Sequence, residues 1–140
     1  MQPPESASPS EWLARIIYVE DDDLMGAIVK DLLTEAGYLI GIIGHGTLAY
    51  ETIAFKKPDL VILDRSLPGM QGIEILQRLR ATPGTNLLPV LMLTATGGEV
   101  KIDEGLGAGA DGYLVKPFDP DALIQKVKSI LKNSLFKRTR

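Results

Sequence analysis

Five polar side chains each stand at the end of a short apolar run. Glu20 and Asp21 follow Ile16-Ile17-Tyr18-Val19, Asp64 follows Leu60-Val61-Ile62-Leu63, Thr94 follows Leu88 to Leu93, and Lys116 follows Tyr113-Leu114-Val115. If the runs are strands of one parallel sheet, the carboxylates crowd together and repel, and at least one has its pKa raised. A divalent cation relieves that repulsion. Magnesium suits the set, because it takes oxygen ligands, keeps several waters and uses one or two carboxylates plus a phosphate oxygen. Asp64 is then free to act as a nucleophile that forms an aspartyl phosphate. Lys116 brings a point charge to a phosphoryl oxygen and Thr94 a hydroxyl donor. Singly, each residue has an ordinary structural reading, since Asp often opens a turn and Thr or Lys often closes a strand. Their joint placement carries the inference.

The elements that must position these groups follow from the apolar pattern. Strands are expected at 16–19, 38–43, 60–63, 88–93 and 113–115, with Pro89 confined to the start of its strand. Helices alternate with them. From Leu24 to Ala36, Leu24, Ile28 and Leu32 share one face with Met25, Val29 and Leu33 beside them, and Gly37 stands where a helix C′ residue belongs. Gly44-His45-Gly46 reads as a loop, with Thr47 capping a helix that runs to about Lys56. Pro68, Gly69 and Gly72 force a loop after Asp64; Ile73, Leu76 and Leu79 then mark a helix ended by Pro83-Gly84. Residues 97–109 should hold a further helix, weakened by five glycines at about 1 kcal/mol for each interior one. The last helix starts at Asp119 as N-cap, Pro120 at N1 and Asp121 in the first turn, with Leu123, Ile124, Val127, Ile130 and Leu131 as its stripe. Five β-α repeats imply a parallel sheet covered on both faces, and right-handed crossovers put every strand's C-terminal end on one rim.

With 140 residues the chain is one domain by length, able to bury roughly 68% of its unfolded surface. It has no cysteine, which excludes disulfides and thiolate metal sites. A hydrophobic content of 45% and a charged content of 24% are ordinary for a soluble domain, and the net charge of −3 gives no reason to expect nucleic acid. No apolar run reaches the roughly 18 residues of a membrane span, and no basic region followed by an apolar block marks a signal peptide. The expectation is a soluble, cytoplasmic domain at 13–133. A disordered arm rich in Pro and Ser precedes it at 1–12, and a basic tail follows at 134–140. His45, the only histidine, is read as a loop residue and not as a phosphotransfer group.

Taken in order, Val-Glu-Asp-Asp at 19–22, Asp64 with Pro68-Gly69 and Gly72, Leu-Thr-Ala at 93–95, Gly-Ala-Asp-Gly-Tyr at 109–113 and Lys-Pro-Phe at 116–118 resemble the response-regulator receiver (CheY-like) domains of two-component signal transduction. The resemblance covers about Arg15 to Lys132. It implies a flavodoxin-like (βα)5 doubly wound α/β fold with a parallel sheet in the order 2-1-3-4-5. It implies Asp64 as phosphoacceptor in a Mg²⁺-dependent reaction. Asp21, Asp64 and the Ser66 backbone carbonyl would be metal ligands, and Glu20 an outer acidic residue. Thr94 and Lys116 would be the phosphoryl contacts, Tyr113 an aromatic switch coupled to Thr94, and the Lys116-Pro117 bond cis. The domain would not be an enzyme beyond its own aspartyl phosphorylation and dephosphorylation. Its partners would be a sensor histidine kinase or histidine phosphotransfer protein and a downstream protein target, with no direct nucleic acid and no membrane. It would be a monomer or a phosphorylation-dependent homodimer, using the surface of the fourth predicted helix, the last strand and the last helix. Gln71 replaces the Asp or Asn of many relatives, and Ser66 and Thr96 fall where the family tunes phosphate lifetime.

Other readings stay open. The chain could be a receiver-like interaction module that no longer switches, or a receiver excised from a larger regulator or hybrid kinase. An aspartate-nucleophile phosphohydrolase would need a second aspartate two residues after Asp64, where Ser66 stands.

Overall fold

The computed structural model describes residues 12–94, 107 and 109–138. Its elements are β1 (Arg15–Val19), α1 (Asp23–Glu35), β2 (Leu39–Ile43), α2 (Gly46–Lys56), β3 (Leu60–Asp64), α3 (Gly72–Ala81), β4 (Val90–Thr94), β5 (Gly112–Val115) and α4 (Pro120–Arg138). The strands pair in parallel in the order β2-β1-β3-β4-β5, as the motifs implied. The helix expected over 97–109, Thr96 and the arm up to residue 11 lie outside the described residues, save Gly107 and Gly109 at the end of that helix.

The strands are apolar without alternation because both sheet faces are covered. Successive side chains point to opposite faces. Ile16, Tyr18, Leu60, Ile62, Leu91 and Leu93 meet Val29 and Leu33 of α1 and Leu123, Val127 and Ile130 of α4. Ile17, Val19, Val61, Leu63, Val90 and Met92 meet Ala49 and Ile53 of α2 and Ile75, Leu76 and Leu79 of α3. Each such side chain contributes about 1.5–3 kcal/mol by leaving water. That burial anchors the strand ends where the polar groups stand.

Several local expectations change. In α1 the buried face is Gly26, Val29 and Leu33, whereas Leu24 and Ile28 are exposed. Gly26 lies on this buried face, where a Cβ would make ordinary contact with Ile42 of β2. Helix α2 starts at Gly46, so Thr47 is not its cap; the His45 side chain accepts from the Thr47 N–H at 3.3 Å. The Gly46 N–H is drawn to the Pro68 carbonyl, which starts the helix one residue earlier. Strand β4 begins at Val90, since Pro89 has no N–H for the ladder. Gly37 (φ 105°) follows α1 as a C′ residue should, and Asp119 accepts from the Asp121 N–H at 2.9 Å.

Close approach of backbones explains two glycines. A Cβ on Gly46 would collide with the Met70 carbonyl, and one on Gly72 with the Asp64 carbonyl. At Gly41 in β2 a Cβ would meet nothing within 4 Å. Gly46→Ala is therefore expected to lose at least about 2 kcal/mol in urea unfolding. Gly41→Ala should be neutral or gain about 0.5–1 kcal/mol, because a strand glycine carries an entropic cost.

Candidate functional site

The rim at the C-terminal ends of β1, β3, β4 and β5 gathers Glu20, Asp21, Asp64, Thr94 and Lys116. Glu20 follows β1 and is buried, Asp21 is exposed, Asp64 ends β3 with 7% of its surface exposed, and Thr94 ends β4 with 2% exposed. Sheet register sets their stagger. Asp64 pairs with Leu93 and Thr94 pairs with Val115, so Thr94 and then Lys116 each stand one residue beyond the preceding group. The Lys116 N–H donates to the Thr94 carbonyl at 2.6 Å, and the Lys116-Pro117 bond is cis.

Lys116 Nζ lies 2.9 Å from Glu20 Oε1 and 3.3 Å from Asp64 Oδ2. The other Asp64 oxygen, Oδ1, accepts from the Ser66 N–H at 3.3 Å, which places Ser66 in the loop directly over the carboxylate. Oxygens of Glu20, Asp21 and Asp64 come within 4.8 Å of one another. Among the described residues one ammonium, that of Lys116, faces this carboxylate cluster. Burial pushes the Asp64 carboxyl up to about 7, and the Glu20 carboxylate beside it adds to the rise against the opposing pull of Lys116. Burial works the same way on Glu20, but hydrogen bonds with Asp64, Lys116 and Tyr18 outweigh it and hold that carboxyl below its usual range. Burial disfavours the Lys116 ammonium, yet the two carboxylates more than compensate and keep it charged.

Helix ends complete the surroundings. Asp22 caps α1, accepting from the Leu24 and Met25 N–H groups at 2.9 and 3.1 Å, so it is committed to the helix and not to the cluster. The loop Pro68-Gly69-Met70 rests on the start of α2; a Cβ on Gly69 (φ 85°) would strike Thr47 and the His45 ring. Gln71 precedes α3, off the rim, and makes no side-chain cap bond. Tyr113 is half-buried in β5 against the α2–α3 side of the core; its hydroxyl is buried and has no partner among the described residues.

One contributor was not anticipated. Tyr18, read only as a strand residue, donates its hydroxyl to Glu20 Oε1 at 2.7 Å. Its spacing of two from Glu20 on a strand was the available signal, because that spacing puts both side chains on one face.

The family model of the response regulator receiver domain matches residues 16–128. The chain is 40% identical over 122 residues to the phosphate regulon transcriptional regulatory protein PhoB of Rhizobium meliloti, covering 87% of this chain and 54% of that protein. It is 39% identical over 120 residues to the DNA-binding response regulator MtrA of Mycolicibacterium paratuberculosis, covering 86% and 52%. The chain thus spans about half the length of the curated relatives it matches. The solved structure of Vibrio cholerae chemotaxis protein CheY4 superposes with a TM-score of 0.78 at 31% identity, covering 84% of this chain and 98% of that one. A proposed response regulator from Chloroflexus aurantiacus superposes at 0.82 with 39% identity, covering 85% and 98%. Because MtrA is a DNA-binding regulator, the net charge of −3 does not exclude nucleic acid from the setting of such a domain. Among the described residues no helix is long and apolar enough to cross a membrane.

The raised Asp64 carboxyl has a signed consequence for stability. Between its ordinary 3.8 and about 7 the folded chain holds a proton that the unfolded chain has released. The contribution of Asp64 to stability therefore falls as pH rises through that window and levels off above it. Asp64→Asn removes this effect. With a chelator present, the variant should become more stable than the parent as pH rises from 4 to 7, by roughly 1–3 kcal/mol at pH 8. Urea unfolding at stepped pH measures the difference; a gap that does not widen with pH would contradict the charge assignment.

Proposed function

The chain belongs to the response-regulator receiver domain family of two-component systems, and from that premise we propose that it is a phosphorylation switch whose acceptor is Asp64. The observation that carries the proposal is Lys116 Nζ at 3.3 Å from Asp64 Oδ2, on a rim that Thr94 shares. A carboxylate held beside a cation and a hydroxyl at the ends of adjacent strands has both the nucleophile and the donors for the oxygens it would receive.

An Asp64 oxygen forms the new O–P bond as the bond from phosphorus to a donor imidazole nitrogen breaks, and the imidazole keeps the electron pair. The donor is a phosphohistidine on a sensor histidine kinase or a histidine phosphotransfer protein. Lys116 moves its N–H donation from Asp64 to a phosphoryl oxygen, and the Thr94 hydroxyl donates to another. Ser66 N–H, already on Oδ1, orients the attacking carboxylate. The donor set of the cluster fits a hard divalent cation, since its oxygens lie within 4.8 Å of one another and its carboxylates outnumber the facing ammonium. Glu20, Asp21, Asp64 and the Ser66 carbonyl would hold Mg²⁺, which when bound neutralises charge on the carboxylates and the phosphoryl group.

Phosphorylation replaces the Asp64 carboxylate, which carries at most −1, with a phosphoryl group that carries about −1.5 to −2. Thr94 and Lys116 follow that charge, and Tyr113 in β5 repacks with them. A shift from 1:99 to 99:1 needs about 5.5 kcal/mol of differential interaction. Hydrogen bonds to charged groups at about 1.5–3 kcal/mol each supply it. The surface that changes is β5, α4 and the segment before β5, and a downstream protein reads it. We assign the switch to residues 13–133, with 1–12 as an arm and 134–140 as a tail. Beyond its own phosphorylation and dephosphorylation the domain carries no catalytic duty.

Intact mass after incubation with acetyl phosphate and Mg²⁺ should show a gain of one phosphoryl group. The gain should vanish with a chelator and in Asp64→Asn. Uptake by the Asn variant would overturn the acceptor assignment, and no uptake by the parent chain would favour an interaction module that does not switch.

A further inference from the structure

Glu20 reaches Lys116 from a buried position with a side chain one methylene longer than aspartate. It is steered there. Tyr18 is fully buried, its ring packed among Ile62, Leu91 and the other residues of the α1–α4 side, so its hydroxyl has little freedom. That hydroxyl donates to Glu20 Oε1 at 2.7 Å, and Lys116 Nζ donates to the same oxygen at 2.9 Å. Oε2 takes neither donor; the Asp22 N–H approaches it at 3.5 Å. A phenol has one proton to donate. It is a donor to Glu20 and nothing else.

We propose that Tyr18 is a positioning residue for the acidic cluster: its hydroxyl commits Glu20 Oε1 to Lys116 and so turns Oε2 toward the cation site shared with Asp21 and Asp64. This rests on the metal reading given above. Without the hydroxyl, a glutamate has one more rotatable bond than an aspartate, and Oε1 keeps the Lys116 ammonium, which Asp64 also shares, but loses the donor that its own strand holds in place. The carboxylate can swing, and the outer oxygen of the cation site is no longer preset. An aspartate at position 20 is one methylene shorter and would hold its carboxylate farther from the phenol, so Tyr18 and Glu20 act as a pair.

A merely structural role for the hydroxyl, that of satisfying a buried phenol, predicts the same effect of its removal whatever stands at position 20. The positioning role predicts dependence on Glu20. The test is calorimetric titration of Mg²⁺ into four full-length proteins: the parent, Tyr18→Phe, Glu20→Asp, and the double variant. Phe keeps the ring and its packing, and circular dichroism checks that all four are folded. Tyr18→Phe should weaken Mg²⁺ binding about tenfold in the parent, the lower end of what loss of an outer-shell partner costs, and less than twofold when Asp stands at position 20. Equal losses in both backgrounds, or no loss in the parent, would overturn the positioning role and leave the metal site standing. Absence of Mg²⁺ binding by the parent would overturn the metal site and the positioning role with it.

Discussion

The chain buries two carboxylates, Glu20 and Asp64, against one ammonium, Lys116, and the rest of the structure is arranged to make that affordable. Charges leave water at a cost of several kcal/mol each unless they are paired and hydrogen-bonded. Lys116 contacts both acids, Tyr18 and Ser66 each add a donor, and Asp64 still has its carboxyl raised to about 7. Among the described residues the cluster sets three carboxylates, Glu20, Asp21 and Asp64, against the Lys116 ammonium. Such a deficit of positive charge favours the arrival of a cation.

Holding three strand ends in this stagger requires a stiff platform. The sheet supplies it because both faces are packed, so each strand is anchored twice, once by residues such as Tyr18 and Ile62 and once by Val19 and Leu63. The loop beyond Asp64 is held by contact instead of by its own ladder. Gly46, Gly69 and Gly72 let backbone and side chains of α2 and β3 meet it at distances a Cβ would forbid. His45 and Thr47 thereby touch the loop that carries Ser66 and Met70, which couples the start of α2 to the acidic cluster through packing.

Membership of the receiver family accounts for the module but not for its output. The curated relatives are about twice as long as the matched region, and some are described as DNA-binding regulators, whereas CheY4 is matched over nearly its whole length. Receiver domains thus occur both as about half of a longer regulator and as nearly a whole chain.

Much of this was legible in the order of residues. Short β-branched runs, each ending in one polar group, specified a parallel sheet and its functional rim. Parallel connections place every C-terminal end on the same side, so Glu20, Asp21, Asp64, Thr94 and Lys116 could be brought together without coordinates. The rotation of α1 was not legible, because packing against the sheet, and not the count of apolar residues, puts Gly26, Val29 and Leu33 on the buried face and leaves Leu24 and Ile28 exposed. Nor was the cap of α2, because a hydrogen bond from Gly46 to Pro68, a residue in a different loop, decides where that helix begins. Above all, the sequence named the acids but not how they share one cation. Which oxygen Lys116 meets, and that Tyr18 meets the same one, depends on side-chain reach across strands distant in the chain. Strand spacing and packing set those distances in three dimensions, and periodicity along one dimension carries no record of them.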